Sequence, residues 1–589
     1  MNPASGSWLR VARVSDVQAA GTMVIRAGRH MIALFAEGDR IYAIDNRCPH
    51  MGFPLHRGTL REGLLTCHWH HARFDLQTGG TFDLWADDLI VFPVEIRGEE
   101  VWVNLHPRED RHAQTRARLE DGLKHHLPLV LAKSILRLLD LGEDPVEIFR
   151  IGLEFGVHYR QAGWGPGLTI LTAMMNMLPY LDPRDRPRAL YHGLDAVAED
   201  CEGASPRFPI RPLPGPASDP ERLHRWFRQF VEVRDAEGAE RCLASAVEAG
   251  LPPLAIADMI FAAATDHRYI AIGHALDFAN KAFEALEIAG WQHAGPTLTS
   301  LVPILVSGER MEENAAWRHP VDLVALLEQA FEILPTIPAA DPASKGKWTG
   351  PERLIPVLLG DQPVDIVEAL LEALQEGAPW EEVAGTVAAA AALRIVRFSM
   401  NNEFSDWDTA LHTFSFASAV HQAMRRFPSR ALLRGVFDAA MSVYLDRFLN
   451  IPPAPLPEEG SAMGDPDHVE ETLQALLNRQ AAVQEVASAV AGYLRAGGEA
   501  SRLLAALGHG LLREDRNFHT IQMMEAAFRQ FSIWRGTSPG DWALIAAARY
   551  LAAHVPTRRA QEQTYRIAER LHRGERLYED LAGMGQGER

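Results

Sequence analysis

The spacing of apolar residues divides the chain into two parts with different predicted structures. Up to residue 106, short runs rich in Val, Ile, Phe and Trp alternate with glycine-containing turns, as in β-strands. From about residue 118 the apolar positions recur every three to four residues, which indicates α-helices. We therefore predict a multidomain α+β protein. A small all-β domain at 1–106 is followed by a charged linker at 107–117 and a large all-α domain at 118–589.

Proline-rich segments divide the helical part into related blocks. The segments lie at 203–220, 335–356 and 451–467. The predicted blocks are 118–202, 222–335, 356–450 and 468–555, followed by a C-terminal helix. Each block has an amphipathic helix, a glycine-containing turn, a second helix and a third helix that carries a histidine. Such internal repetition predicts a helical repeat, in which stacked helices bury a shared core.

Composition excludes several classes of function. The formal net charge of −19 argues against nucleic-acid binding, which normally needs a basic surface. No apolar run reaches the roughly 18 residues that a membrane-spanning helix needs. The N-terminal residues do not resemble a secretory signal. With only four cysteines in 589 residues, we expect a cytoplasmic protein with reduced thiols.

Two short cysteine–histidine motifs carry the clearest chemistry. Cys48 and His50 are separated by one residue, and Cys67 and His70 by two. Two thiolates suit one iron of a [2Fe–2S] cluster and two imidazoles suit the other. Tetrahedral zinc is the alternative for the same ligands. However, zinc motifs usually pair like with like, whereas each motif here mixes Cys and His, so we favour the cluster.

The sequence around these motifs resembles a known family. The runs CPHMGFPLHRG (48–58) and CHWHHARFDLQTG (67–79) resemble the two cluster loops of Rieske-type ferredoxin domains, and the likeness covers about residues 7–106. It implies that Cys48 and Cys67 hold one iron and that His50 and His70 hold the other. His68 and His71 have the wrong offset from Cys67, so they are expected to lie near the cluster without binding it. The family usually has Gly where His71 stands.

The resemblance also predicts the electronic properties of the cluster. Rieske proteins of respiratory complexes add a disulfide between the loops and two hydroxyl donors near the cluster. Phe53 and Trp69 stand at the corresponding cysteine positions here, and Ala72 and Phe74 stand at the hydroxyl positions. Losing those hydrogen bonds lowers the reduction potential, so we expect a value near about −150 mV. The expected partner is an external electron donor such as a flavin reductase.

The third-helix histidines are candidates for a second metal site. Each has a carboxylate one turn away on the same helix face, where it could orient the ring or act as a ligand. The candidate residues are His192, His274, His412, His519, Asp277 and Asp408. One hypothesis is a non-haem iron site inside the helices. The alternative is a structural role, in which each His–Asp pair fixes its helix against a neighbour. The ligand patterns of known iron sites are not met cleanly.

The helical part bears a second resemblance, based on short apolar motifs. His125-His-Leu-Pro-Leu-Val-Leu and Leu139-Asp-Leu-Gly, with His192-Gly-Leu and His274-Ala-Leu, are similar to the questin oxidase-like family over about half of residues 118–300. That family is associated with Baeyer–Villiger oxidation of polyketides. The likeness implies an oxygenase that inserts oxygen beside a ketone.

Three functions are consistent with these observations. In the first, the cluster supplies electrons to a helical oxidoreductase module that acts on a small organic substrate. In the second, a helical-repeat scaffold binds a partner in response to the redox state of the cluster. In the third, the chain is a plain electron carrier that docks a separate reductase and acceptor. No glycine-rich dinucleotide fingerprint is present, so we predict no flavin or nicotinamide site.

Overall fold

A computed structural model describes residues 8–28, 30–105, 111–214, 219–338, 348–457, 468–575 and 577. Residues 107–110 of the predicted linker lie outside the described residues, as do 215–218, 339–347 and 458–467 of the proline-rich segments. The chain forms two compact units. The first is Met1–Asp144 with Gln563–Arg589, and the second is Pro145–Glu562. The predicted fold class is confirmed, because a small β domain precedes a large helical region.

The described part of the first unit contains ten short strands. They are β1 (Trp8–Arg13), β2 (Thr22–Ala27), β3 (His30–Glu37), β4 (Arg40–Asp45), β5 (Thr59–Arg61), β6 (Leu64–Thr66), β7 (Arg73–Asp75), β8 (Val91–Phe92), β9 (Val94–Arg97) and β10 (Glu100–Asn104). All pairings are antiparallel, in three sheets with the orders β1-β10-β9, β2-β3-β4-β8 and β5-β6-β7.

The strands enclose two apolar clusters, because their side chains alternate between the core and the surface. One cluster contains Ile32, Leu34 and Val101. The other contains Phe74 and both motif cysteines, and it lies beneath the loops that carry them. The cysteines are therefore fixed by the same packing that holds β6 and β7 together.

Helices complete the first unit. They are α1 (Val14–Ala20), α2 (Arg111–Lys124), α3 (Pro128–Asp140) and, from residue 563 onward, the C-terminal helix α24 (Ala560–His572). The short helix α1 lies within the segment predicted as all-β. Helix α2 begins at Arg111, inside the segment predicted as linker, and it buries its apolar residues Leu119 and Leu123.

The second unit is formed by α-helices with short 3-10 turns. The helices are α4 (Pro145–His158), α5 (Pro166–Met177), α6 (Arg186–Cys201), α7 (Pro220–Glu232), α8 (Ala236–Glu248), α9 (Pro253–Asp266), α10 (His274–Ala289), α11 (Ala294–Thr299), α12 (Val302–Ser307), α13 (Leu323–Ile333), α14 (Pro351–Leu358), α15 (Pro363–Gln375), α16 (Trp380–Val396), α17 (Asp406–Arg426), α18 (Arg430–Leu445), α19 (Val469–Leu477), α20 (Val483–Arg495), α21 (Ala500–Leu512), α22 (Phe518–Ile533) and α23 (Ser538–His554).

Several helices of this unit are buried on all sides. Helix α16 is buried at every residue from Val383 to Val396, because its run of alanines lets neighbouring helices approach closely. The four predicted histidine-bearing helices are α6, α10, α17 and α22. The division into four repeat blocks stays a prediction. Among the described residues, no helix combines the length and the apolar character needed to cross a bilayer.

Candidate metal centres

The first cysteine–histidine loop is closed by backbone hydrogen bonds. Cys48 follows β4, and its N–H donates to the Phe53 carbonyl at 2.8 Å. The N–H of Gly52 donates to the Cys48 carbonyl at 2.7 Å. Gly52 has a φ of +82°, in the left-handed region that a glycine adopts without strain. The loop therefore turns back on itself around the Cys48 side chain.

The second loop, between β6 and β7, repeats this backbone pattern. The Cys67 N–H donates to the Ala72 carbonyl at 2.8 Å, and the His71 N–H donates to the Cys67 carbonyl at 3.0 Å. His71 thus occupies the position that Gly52 has in the first loop, and its φ is also positive, at +63°. This explains why a glycine suits the position, since a side chain there costs about 1–2 kcal/mol of backbone strain.

The two loops bring four potential ligands together. Cys48 and Cys67 are 3% and 1% exposed. The imidazole rings of His50 and His70 lie 4.8 Å apart, centroid to centroid. The Nδ1 atom of His50 is buried and has no hydrogen-bond partner. A buried nitrogen without a partner is costly unless a ligand satisfies it, so this donor set fits a bound metal cluster.

The surroundings of the two loops shift the pKa values of the cysteine and histidine side chains. The hydrogen bond from Cys48, together with the backbone N–H groups of Trp69 and His70, lowers the pKa of Cys67 to about 6. The same hydrogen bond and burial raise the pKa of Cys48. Burial lowers the pKa of His50 to about 4 and also lowers the pKa of His70. Both imidazoles are therefore neutral near pH 7, with a lone pair available.

The neighbouring histidines lie elsewhere. The Nε2 atom of His68 lies 2.6 Å from the Thr59 hydroxyl, which turns that ring towards β5. His71 is exposed on the surface of the loop. These placements agree with the offsets expected from the sequence, although the identity of the four ligands stays a prediction.

Three of the four third-helix histidines meet in the second unit. His274 begins α10, His412 lies in the second turn of α17, and His519 lies in the first turn of α22. One nitrogen from each ring lies within 4.8 Å of the other two. The Nε2 atoms of His412 and His519 are 3.1 Å apart. We call these three residues the histidine cluster. Among the described residues outside the two cysteine–histidine loops, these three side chains are grouped closely enough to be a candidate metal site.

A carboxylate orients one ring of the histidine cluster. Asp408, one turn before His412 on α17, lies with its Oδ2 atom 3.5 Å from Nδ1 of His519. Its Oδ1 atom accepts a hydrogen bond from the Tyr550 hydroxyl at 2.5 Å. Burial works to raise the pKa of Asp408, but the hydrogen bonds with His519 and Tyr550 lower it to about 2. An ionised carboxylate at Nδ1 leaves Nε2 of His519 free to bind metal, as in carboxylate–histidine–metal arrangements.

The other two histidines of the cluster, His274 and His412, have lowered pKa values. Burial and the neighbouring rings of His412 and His519 lower the pKa of His274 to about 3. Burial and His519 lower the pKa of His412 to about 4. Both rings are neutral near pH 7, which is the state in which imidazole binds metal.

Two candidates from the sequence lie outside the histidine cluster. His192 is buried on α6, and its Nε2 atom lies 2.9 Å from the Leu512 carbonyl. Asp277 lies one turn after His274 and accepts a hydrogen bond from the Gln522 amide. Burial raises the pKa of Asp277 to about 7. The structure places His192 outside the histidine cluster, whereas Asp277 belongs to a polar layer next to the cluster.

Sequence reasoning missed a buried polar column on the same three helices. Lys281 donates to Glu284 at 2.9 Å and to Glu525 at 2.7 Å, and all three side chains are at most 5% exposed. Arg529 pairs with Glu284 at 2.7 Å and donates to the Gln422 amide oxygen at 3.0 Å. The sequence contains a pattern that would have indicated this column. Polar residues recur every three to four positions after each histidine on otherwise apolar helices.

Comparison with known proteins supports the assignment of the N-terminal domain. The Rieske [2Fe-2S] domain family matches residues 7–88. Ferredoxin CarAc of Metapseudomonas resinovorans is 35% identical over 99 residues, which cover 16% of this chain and 92% of that protein. The 3-phenylpropionate/cinnamic acid dioxygenase ferredoxin subunit of Escherichia coli (strain K12) is 36% identical over 77 residues, covering 13% of this chain and 73% of that protein.

Other matches cover larger proteins only in part. Apoptosis-inducing factor 3 of Homo sapiens is 29% identical over 191 residues, and the chain spans 29% of that protein's length. Among solved structures, the complex of reduced oxygenase and oxidized ferredoxin in carbazole 1,9a-dioxygenase contains a chain that is 30% identical. That match covers 18% of this chain and 97% of that one, with a TM-score of 0.17. Each of these matches covers about a third of this chain or less.

Proposed function

The chain belongs to the Rieske [2Fe-2S] ferredoxin family through its N-terminal domain, and we propose that it is a fused oxidoreductase. An external donor such as a flavin reductase supplies electrons to the N-terminal domain. The helical unit uses them for oxygen-dependent chemistry on a small organic substrate. The predicted cytoplasmic location remains part of this proposal.

Four residues are proposed as the ligands of the N-terminal cluster. Cys48 and Cys67 would hold one iron, and His50 and His70 the other. When bound, a [2Fe–2S] cluster supplies transfer of one electron at a time. The buried and unpartnered Nδ1 of His50, together with the two buried thiols, supports this assignment.

The histidine cluster is the observation that carries the proposal for the helical unit. His274, His412 and His519 offer three nitrogens within 4.8 Å of one another, a group that would bind one ion once the rings close to metal–imidazole bonds of about 2.0–2.1 Å. Three protein ligands leave coordination positions open, as catalytic sites require. Imidazole suits iron, zinc and copper. We propose non-haem iron, because the chain also carries a domain that supplies single electrons.

The class of substrate is proposed from the sequence. The helical segments that resemble the questin oxidase-like family support oxygen insertion beside a ketone. This part of the proposal rests on short motifs around His125, Leu139, His192 and His274.

Metal analysis of the full chain tests the proposal. We expect three irons per chain in the iron-replete protein, and two in the His274→Ala and His412→Ala variants, with the absorption of the N-terminal cluster unchanged. His192→Ala is the matched control, because that histidine lies on a related helix outside the cluster. Two irons in every protein, with no other metal bound, would contradict the proposal.

A plain electron carrier is the second candidate. The names of two ferredoxin relatives, of which the chain covers 92% and 73%, favour it. In that case the histidine cluster would serve to pack α10, α17 and α22 together, and the metal analysis would show iron in the N-terminal domain alone. The redox-responsive scaffold predicted from the repeats would give the same metal content, but its affinity for a partner would change on reduction.

A further inference from the structure

A lysine from outside the matched Rieske domain reaches the first cysteine–histidine loop. Lys133 lies on α3, whereas the family match ends at residue 88. Its ammonium Nζ donates to the Pro49 carbonyl at 2.9 Å and to Asp87 at 2.5 Å. Pro49 stands between Cys48 and His50, so the hydrogen bond holds the loop between its two proposed ligands.

A second cation holds the neighbouring segment 84–87. Arg118 of α2 contacts Asp87 at 3.2 Å and donates to the carbonyls of Leu84 at 2.8 Å and Ala86 at 3.0 Å. The side chains of Lys133 and Arg118 are 13% and 11% exposed. Both cations pair with Asp87, and Arg118 also pairs with Asp121 at 3.1 Å, so Lys133 is the cation that contacts the loop itself.

The carboxylate between these cations is ionised. Burial works to raise the pKa of Asp87, but Lys133 and Arg118 hold it below its usual value. The same segment carries Trp85, whose ring packs against His50 with centroids 4.6 Å apart. Helices α2 and α3 therefore hold both the loop that contains His50 and the ring that packs against it.

We propose that Lys133 is a positioning residue for the N-terminal cluster, which fixes the Cys48–His50 loop and raises the reduction potential. Reduction adds a negative charge to the cluster, and a cation stabilises that charge more strongly when partly removed from water. The lysine thus partly offsets the low potential expected from the missing hydroxyl donors near the cluster. The inference goes beyond the proposed function, because it does not depend on metal at the histidine cluster.

A redox titration of the full chain, followed by electron paramagnetic resonance, tests this role. For Lys133→Met we expect about a tenfold higher ratio of oxidised to reduced cluster at a fixed potential, which corresponds to a midpoint lower by about 59 mV. Arg137→Met is the matched control. It removes the same charge one turn later on α3, from an exposed side chain. Equal midpoints in Lys133→Met and the unmodified protein, or equal shifts in both variants, would overturn the proposal.

Two further variants keep the test decisive if Lys133→Met loses iron. Asp87→Asn retains the lysine and removes the negative charge, so its midpoint should be higher than that of the unmodified protein. Lys133→Arg retains the positive charge, so its midpoint should stay closest to the unmodified value. A lower midpoint in Asp87→Asn, at full iron content, would also overturn the proposal.

Discussion

The Nε2 atom of His412 lies 3.1 Å from the Nε2 atom of His519, although the two residues are 107 positions apart in the chain. Such close nitrogens share either a proton or a metal ion. Asp408 faces Nδ1 of His519, so the proton of that ring is expected on Nδ1 and the lone pair on Nε2. His274 completes a set of three nitrogens, which favours a metal ion over a simple hydrogen bond.

Asp408→Asn should weaken metal binding at the histidine cluster by about 10–100-fold, because the neutral amide no longer fixes the His519 ring. The dissociation constant of the full chain for ferrous or zinc ions, measured by competition with a chelator, gives this number. Glu403→Gln is the control, since it removes an exposed carboxylate close to the start of the same helix. Equal losses of affinity in the two variants would mean that Asp408 acts only through its charge.

His70→Ala should abolish the Rieske-type absorption and the resonance signal of the reduced protein, because it removes one of the two imidazole ligands. His68→Ala should retain both signals, since that ring lies against Thr59. His71→Gly should retain them as well, and should relieve the strain of the positive φ at that position. Loss of the cluster in His71→Gly, with retention in His70→Ala, would mean that His71 and not His70 is the second imidazole ligand.

Asp277→Asn should stabilise the second unit at pH 8 and have little effect at pH 4. Burial raises the pKa of Asp277 from 3.8 to about 7, so its contribution to stability is complete below pH 3.8 and is lost as pH rises to about 7. A shift of this size corresponds to about 4 kcal/mol at most, at 1.36 kcal/mol for each pH unit. The difference in unfolding free energy between variant and unmodified protein should grow between pH 4 and 7. A difference independent of pH would refute this explanation.

Lys281→Met should destabilise the second unit by about 3–5 kcal/mol, because it leaves Glu284 and Glu525 buried with too little positive charge. Arg353→Met breaks an ion pair with Glu376 on the surface of the same unit, and should cost less than about 1 kcal/mol. Chemical unfolding of both variants, followed by helical circular dichroism, compares the two costs. Similar unfolding midpoints in the two variants would show that other groups compensate for the loss of Lys281 in the buried polar column.

The cluster loops could be predicted from the sequence because their geometry is local. Cys48 and His50 lie within one turn of chain, as do Cys67 and His70, and strands of three to six residues fix the position of each loop. The hydrogen bonds that close both loops join residues only four or five positions apart. Spacing alone therefore contained most of the information about the site.

The histidine cluster could be predicted only in part. The sequence identified its three members together with His192, since all four lie on helices with similar patterns. Helical periodicity says which face of a helix is buried, but it does not say which buried faces meet. The position of His192 against the Leu512 carbonyl, and the column around Lys281, depend on the packing of distant helices.

Patterns of residues close together in the chain were enough to predict a small β domain followed by helices, the mixed cysteine–histidine motifs and the family of the N-terminal domain. Tertiary structure alone decided that His274, His412 and His519 meet, that Asp408 orients His519, and that Lys133 reaches Pro49. The residues joined in this way lie 84 to 245 positions apart in the chain. They follow from how side chains pack in three dimensions, which no local pattern encodes.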